Sequence, residues 1–64
     1  MYIYTPKYRV TLCVYGKGHI YYNTDNFKWA NDEYDKLREK HPVFCFYACI
    51  EDTQTGEKFR EYIR

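Results

Sequence analysis

The sequence predicts an α+β fold, a two-layer ββαββ arrangement in which a four-stranded antiparallel sheet carries one helix on one face. Three observations predict it. Residues 2–15 alternate with period two, residues 24–41 carry an apolar stripe at steps of three and four, and residues 43–64 read as two strands around an Asp-Thr-Gln-Thr-Gly turn. A chain of 64 residues with a formal net charge of +1 makes a single domain, residues 1–64, with a small core.

From Tyr2 to Tyr15, one parity holds Tyr2, Tyr4, Tyr8, Val10, Leu12 and Val14, and the other holds Thr5, Lys7, Arg9, Thr11, Cys13 and Tyr15. That is a strand with one buried face. Pro6 has no N–H for a ladder, so the first half is an edge, a bulge or a separate arm. Gly16-Lys17-Gly18 is turn chemistry, and His19 to Asn23 returns as a second strand. A three-residue loop pairing Tyr15 with His19 sets Ile20 and Tyr22 on the face of Leu12 and Val14.

Thr24 and Asp25 are both suitable N-caps for a helix running to Lys40, whose stripe is Phe27, Ala30, Tyr34 and Leu37, with His41 after it. Acidic residues lie early and basic ones late, which complements the helix dipole, and Pro42 ends it. Trp29 falls on the flank of this helix. Val43 to Glu51 is apolar on both parities, as a central strand is, and Phe44, Phe46, Ala48 and Ile50 are assigned inward. In the turn after it, the Asp52 carboxylate can accept from backbone N–H groups two and three residues on, while Gly56 supplies a left-handed residue. Glu57 to Arg64 is the fourth strand, with Phe59 and Ile63 inward and Lys58, Arg60, Tyr62 and Arg64 outward.

The aromatic content is high: nine Tyr, four Phe and one Trp. The inward parity absorbs Tyr8, Tyr22, Phe27, Tyr34, Phe44, Phe46 and Phe59 as core. The uncovered face is expected to carry Arg9, Thr11, Cys13, Tyr15, Tyr21, Cys45, Tyr47, Cys49, Lys58, Arg60, Tyr62 and Arg64. On it Tyr15, Tyr21, Tyr47, Arg60 and Tyr62, with Trp29 on the helix flank, are the contact candidates. Tyr, Trp and Arg are enriched as anchors of protein interfaces. Tyrosines on an open sheet with a cationic border also stack unpaired bases, so a single-stranded nucleic-acid-binding module is the alternative. The near-neutral charge and the acidic helix weigh against it.

Enzyme chemistry finds no foothold. There is no Ser, and neither His19 nor His41 is tied by sequence to a thiol. Gly16-Lys17-Gly18 is too short for a phosphate loop, and Asp32, Glu33 and Asp35 are ordinary helix-surface charges. No cofactor or metal is expected: along a strand Cys45 and Cys49 would sit about 13 Å apart, too far for one zinc site or a disulfide. An odd count of three Cys, no secretion signal and no apolar run of about 20 residues indicate a cytoplasmic protein outside the membrane. Small scaffolds usually need a staple. With disulfide and metal set aside, a symmetric homodimer is expected, its seam at the open sheet face or at the Tyr2 to Thr5 arm.

The strand-turn-strand, the Thr24-Asp25-Asn26-Phe27 helix start, Pro42 before a strand and the Asp52-Thr53-Gln54-Thr55-Gly56-Glu57 hairpin together resemble small ββαββ orphan proteins of phages and mobile elements. Several of these act as anti-CRISPR or other anti-defence proteins. The resemblance covers residues 8–64 and is architectural. It implies a phage-encoded inhibitor working in the host cytoplasm by stoichiometric binding to a host protein complex, and it transfers no functional residue.

Overall fold

The structure, a computed structural model, describes residues 5–64. The expected strand positions Tyr2 and Tyr4 lie outside the described residues. The elements are β1 (Tyr8–Val14), β2 (Gly18–Thr24), α1 (Phe27–Lys40), β3 (Cys45–Asp52) and β4 (Lys58–Ile63). They form one antiparallel sheet in the order β2-β1-β3-β4, the expected ββαββ arrangement. The helix lies across β1, β3 and β2.

Strand β1 is central because its even residues are apolar and can be buried without stranding a charge. Val10, Leu12 and Val14 are buried against Ala30, Tyr34 and Leu37 of the helix and Cys45, Ala48 and Ile50 of β3. Tyr8, Ile20 and Tyr62 pack at the margin of this core. The β1–β2 loop has three residues, as expected, but they are Tyr15, Gly16 and Lys17: Val14 pairs with Gly18 and Leu12 with Ile20. Pairing is thus shifted by two residues, which leaves every side chain on its expected face. The Lys17 N–H donates to the Val14 carbonyl at 3.1 Å to close the loop.

The helix is capped by Asn26, one residue beyond the two expected caps. Its Oδ1 accepts the Trp29 N–H at 3.0 Å, filling one of the donors a helix start leaves free. Thr24 and Asp25 serve the approach instead. Thr24 Oγ1 accepts from the Asn26 N–H at 3.1 Å, and Asp25 Oδ1 accepts from the Lys7 N–H at 2.9 Å, tying the entry of β1 to the entry of α1.

Two bulges overturn part of the expected core. Cys13 pairs with Tyr47 but Val14 pairs with Cys45, so Phe46 is an extra residue in β3. A one-residue slip moves side chains to the other face, and Cys45 enters the core at 3% exposure while Phe44 is 61% exposed. In β4, Ile50 pairs with Arg60 and Glu51 with Lys58, making Phe59 the extra residue. Arg60 and Tyr62, expected outward, therefore stand opposite Ile50 and Ala48 on the helix side, and Ile63, expected inward, is exposed. Phe59 lies 5.7 Å from Tyr8 and 5.3 Å from Phe27 between ring centroids, but Phe59, Phe27 and Tyr22, expected in the core, are about two-fifths exposed at its edge.

The final hairpin matches its chemistry as read. Asp52 Oδ1 accepts from the Gln54 N–H at 2.8 Å and the Thr55 N–H at 3.1 Å, the Gly56 N–H donates to the Asp52 carbonyl, and Gly56 has φ +77, a conformation other residues adopt only with strain. Those two N–H donors, the Gln54 one first, hold the Asp52 carboxyl below the usual aspartate range. A group whose pKa falls on folding stabilises the fold above its unfolded pKa, and that contribution disappears as pH drops through the folded value. Melting temperature in wild type should therefore fall below about pH 4 more steeply than in Asp52→Asn, which keeps the acceptor oxygen but not the charge. Parallel curves would place the acid sensitivity elsewhere.

Candidate interaction surface

With the helix on one face, the other face of the sheet consists of three rows of four residues, set by the strand registers. Asn23, Arg9, Glu51 and Lys58 form the row nearest the Asp52 hairpin. Tyr21, Thr11, Cys49 and Glu61 form the middle row, and His19, Cys13, Tyr47 and Ile63 the row nearest the β1–β2 loop. Thr11, Cys13 and Cys49 are small and buried, making a floor along the two central strands. Around it stand Tyr21, exposed on the β2 side, and Tyr47, partly buried on β3.

Polar contacts fix these side chains. Arg9 Nε donates to Asn23 Oδ1 at 3.2 Å, and its guanidinium lies 3.8 Å from the Glu51 carboxylate. The Tyr21 hydroxyl and His19 Nδ1 are 2.8 Å apart. The Tyr47 hydroxyl donates to Glu61 Oε2 at 3.2 Å. The Cys49 thiol, burial and Glu61, in that order, push its pKa well above the usual phenol range, so Tyr47 is a neutral donor. Burial, and then the neighbouring Cys45 and Cys49, raise the Cys13 thiol. That is the opposite of what activates a nucleophilic cysteine.

The face continues into an apolar end of the molecule, where β1 and β4 finish and β3 begins. Tyr15 stacks on Phe46 with centroids 4.4 Å apart, and the Tyr15 N–H donates to the Phe44 carbonyl at 3.0 Å. The Arg64 guanidinium donates to the Val43 carbonyl, and the Arg64 N–H to the Phe46 carbonyl at 3.1 Å. Tyr15, Val43, Phe44 and Ile63 are each more than half exposed. Large apolar side chains gathered at one place on a small surface mark a contact site more often than scattered ones do.

The six contact candidates read from the sequence separate into three places. Tyr15, Tyr21 and Tyr47 lie on the open face and its apolar end. Arg60 and Tyr62 are on the helix side, held in a stack that also includes Tyr34 and Arg38: the Arg60 guanidinium is 4.2 Å from the Tyr34 ring centre and that of Arg38 is 3.9 Å from Tyr62. Trp29 is on the helix flank as expected, edge-on to Tyr22 at 6.0 Å, beside a shallow cleft lined by Asn23, Thr24 and Asn26. Of the residues set on the open face, Cys45 is in the core instead. Phe44 escapes a sequence reading because its run, apolar on both parities, gives no sign of which face it presents, and Ile63 because the bulge at Phe59 exchanges the faces of β4.

Among the described residues no group of three His, Cys, Asp or Glu side chains is arranged to hold a metal ion. No helix among them is long and apolar enough to cross a membrane. Comparison with models of known protein families, with curated proteins and with solved structures finds no match.

Proposed function

We propose that this chain is a small non-enzymatic interaction module that binds a protein partner through its apolar end, acting stoichiometrically as an inhibitor of a host complex. The observation that carries the reading is the exposure of Tyr15, Val43, Phe44 and Ile63 together at the end of the sheet, a cost in water that a partner would remove. The inhibitory role, and the phage origin that goes with it, rest on the resemblance of the ββαββ layout to anti-defence proteins. Base stacking is disfavoured on the same surface. Arg38 and Arg60 are stacked on tyrosines of the helix side, and Glu51 and Glu61 stand on the open face where phosphates would run.

The test is capture from a host lysate with wild type and with a Val43→Glu, Phe44→Glu double variant. Both positions are more than half exposed, so the double variant should fold. A protein retained one-to-one by wild type should be lost with the double variant and kept with Lys36→Ala on the helix surface. Capture unchanged by the double variant sinks this reading. Binding to a single-stranded oligonucleotide that weakens steeply with salt would replace it with the nucleic-acid one.

A further inference from the structure

The three rows of the open face have a symmetry of their own. The sheet order β2-β1-β3-β4 allows a two-fold axis parallel to the strands, between β1 and β3. Such an axis lays β1 on β3 of a second copy, and β2 on β4, while keeping each row opposite itself. In the first row Arg9 then meets Glu51, and Asn23 meets Lys58. In the second, the Tyr21 hydroxyl meets the Glu61 carboxylate, and Thr11 meets Cys49. In the third, the large Tyr47 meets the small Cys13, and His19 meets Ile63. No like charges face each other, every carboxylate faces a donor, and the largest central side chain faces one of the smallest.

The other face-to-face two-fold axis, perpendicular to the strands, lays each strand on itself and reverses the rows. Glu61 would then face Glu61, Arg9 would face Cys13 and Lys58 would face Ile63. That opposes like charges and sets two charged groups against uncharged side chains, which disfavours the pairing. The pattern on the face is therefore self-complementary about one axis and not about the other.

We infer that a second copy of this chain covers the open sheet face, in an aligned sheet-on-sheet pair whose two-fold axis runs parallel to the strands. Sheets packed this way lie about 10 Å apart with strands within about 30° of each other, within reach of Arg and Glu side chains at the ends of the seam. The axis leaves both apolar ends at the same end of the dimer, so Val43 and Phe44 of both copies are presented to one partner. The pairing goes beyond the proposed partner binding, which is tested at Val43 and Phe44, outside the three rows.

Charge complementation by mixing tests it. Arg9→Glu sets a carboxylate against Glu51 of the second copy, and Glu51→Arg sets a guanidinium against its Arg9. Each variant alone should run as the 7.9 kDa chain in light scattering at concentrations where wild type has about twice that mass. An equal mixture of the two should recover the doubled mass at physiological salt, where distant charges are screened. The Arg9–Glu51 contact within one chain is absent from both variants and mixing cannot restore it, so recovery reports contact between copies. If Arg9→Glu does not fold, Asn23→Lys makes the same test on an exposed residue: it meets Lys58 and should weaken pairing, and mixing with Lys58→Glu should restore it. A wild-type mass of one chain up to high micromolar concentration overturns the inference. So do Arg9→Glu, Glu51→Arg or Asn23→Lys chains that pair alone as wild type does, or a mixture that does not pair; Lys58→Glu, which meets Asn23, should pair alone. Val43→Glu with Phe44→Glu, both outside the three rows, should leave the dimer mass unchanged, so failure of the pairing and failure of partner binding are read separately.

Discussion

Leu12→Ala should remove a large part of the chain's stability. Leu12 has no exposure and sits in the middle of β1 between its pairing partners Ile20 and Ala48, beneath the helix. Truncating a buried Leu costs about 2–5 kcal/mol through lost transfer energy and the cavity left behind. A domain has roughly 0.05–0.15 kcal/mol of stability per residue, so a chain of 64 residues has little beyond that to lose. Phe44→Ala removes a larger side chain, one the strand pattern marks as core, but Phe44 is 61% exposed and the change should stay within about 0.5 kcal/mol. Urea unfolding followed by Trp29 fluorescence measures both. The reverse ranking would mean that Phe44 is inside and that the bulge at Phe46 is not formed.

That pair of variants also marks where the sequence stops being informative. The β1 strand was legible because a single parity is apolar, and so one face can be buried and the other not. The last hairpin was legible because Asp52 and Gly56 each have one local reason to be there. Asn26 was obscured by the two other capping residues just before it. Val43 to Tyr47 offers apolar residues to both faces, so parity cannot choose between Phe44 and Cys45, and the choice falls to a bulge opposite Cys13 and Val14. The same holds in β4, where the bulge at Phe59 exchanges the faces of Tyr62 and Ile63. Bulges are set by how neighbouring strands fit and twist together, a property of the assembled sheet with no local sequence signature. For the candidate surface the consequence is specific: Tyr21 of β2 and Tyr47 of β3 lie on stretches that keep their period, Tyr47 just past the bulge, and the β4 residues lie beyond one that does not.

Arg60→Ala should therefore act on stability and leave partner binding alone. Strand β4 lies at the edge of the sheet, and Arg60 ties it to the helix. Its guanidinium covers the Tyr34 ring at 4.2 Å, donates to Asn31 Oδ1 at 2.8 Å and pairs with Asp35 at 3.0 Å. A partly desolvated cation over an aromatic ring contributes about 0.5–2 kcal/mol, the hydrogen bond about 1 kcal/mol, and the exposed ion pair up to about 1 kcal/mol. A loss of about 2 kcal/mol is expected once these are allowed to overlap, equivalent to roughly 8–16 °C in melting temperature for a domain of this size. Arg60→Lys should recover only part of it, because an ammonium brings the charge without the flat surface that rests on Tyr34 or the fork that reaches two acceptors. Asp35→Ala removes the ion pair alone and should cost least. The order Arg60→Ala, Arg60→Lys, Asp35→Ala in thermal melts supports the stacked arrangement. An Arg60→Ala chain that melts like wild type yet loses its partner would return Arg60 to the outer face, where an unbulged β4 would put it.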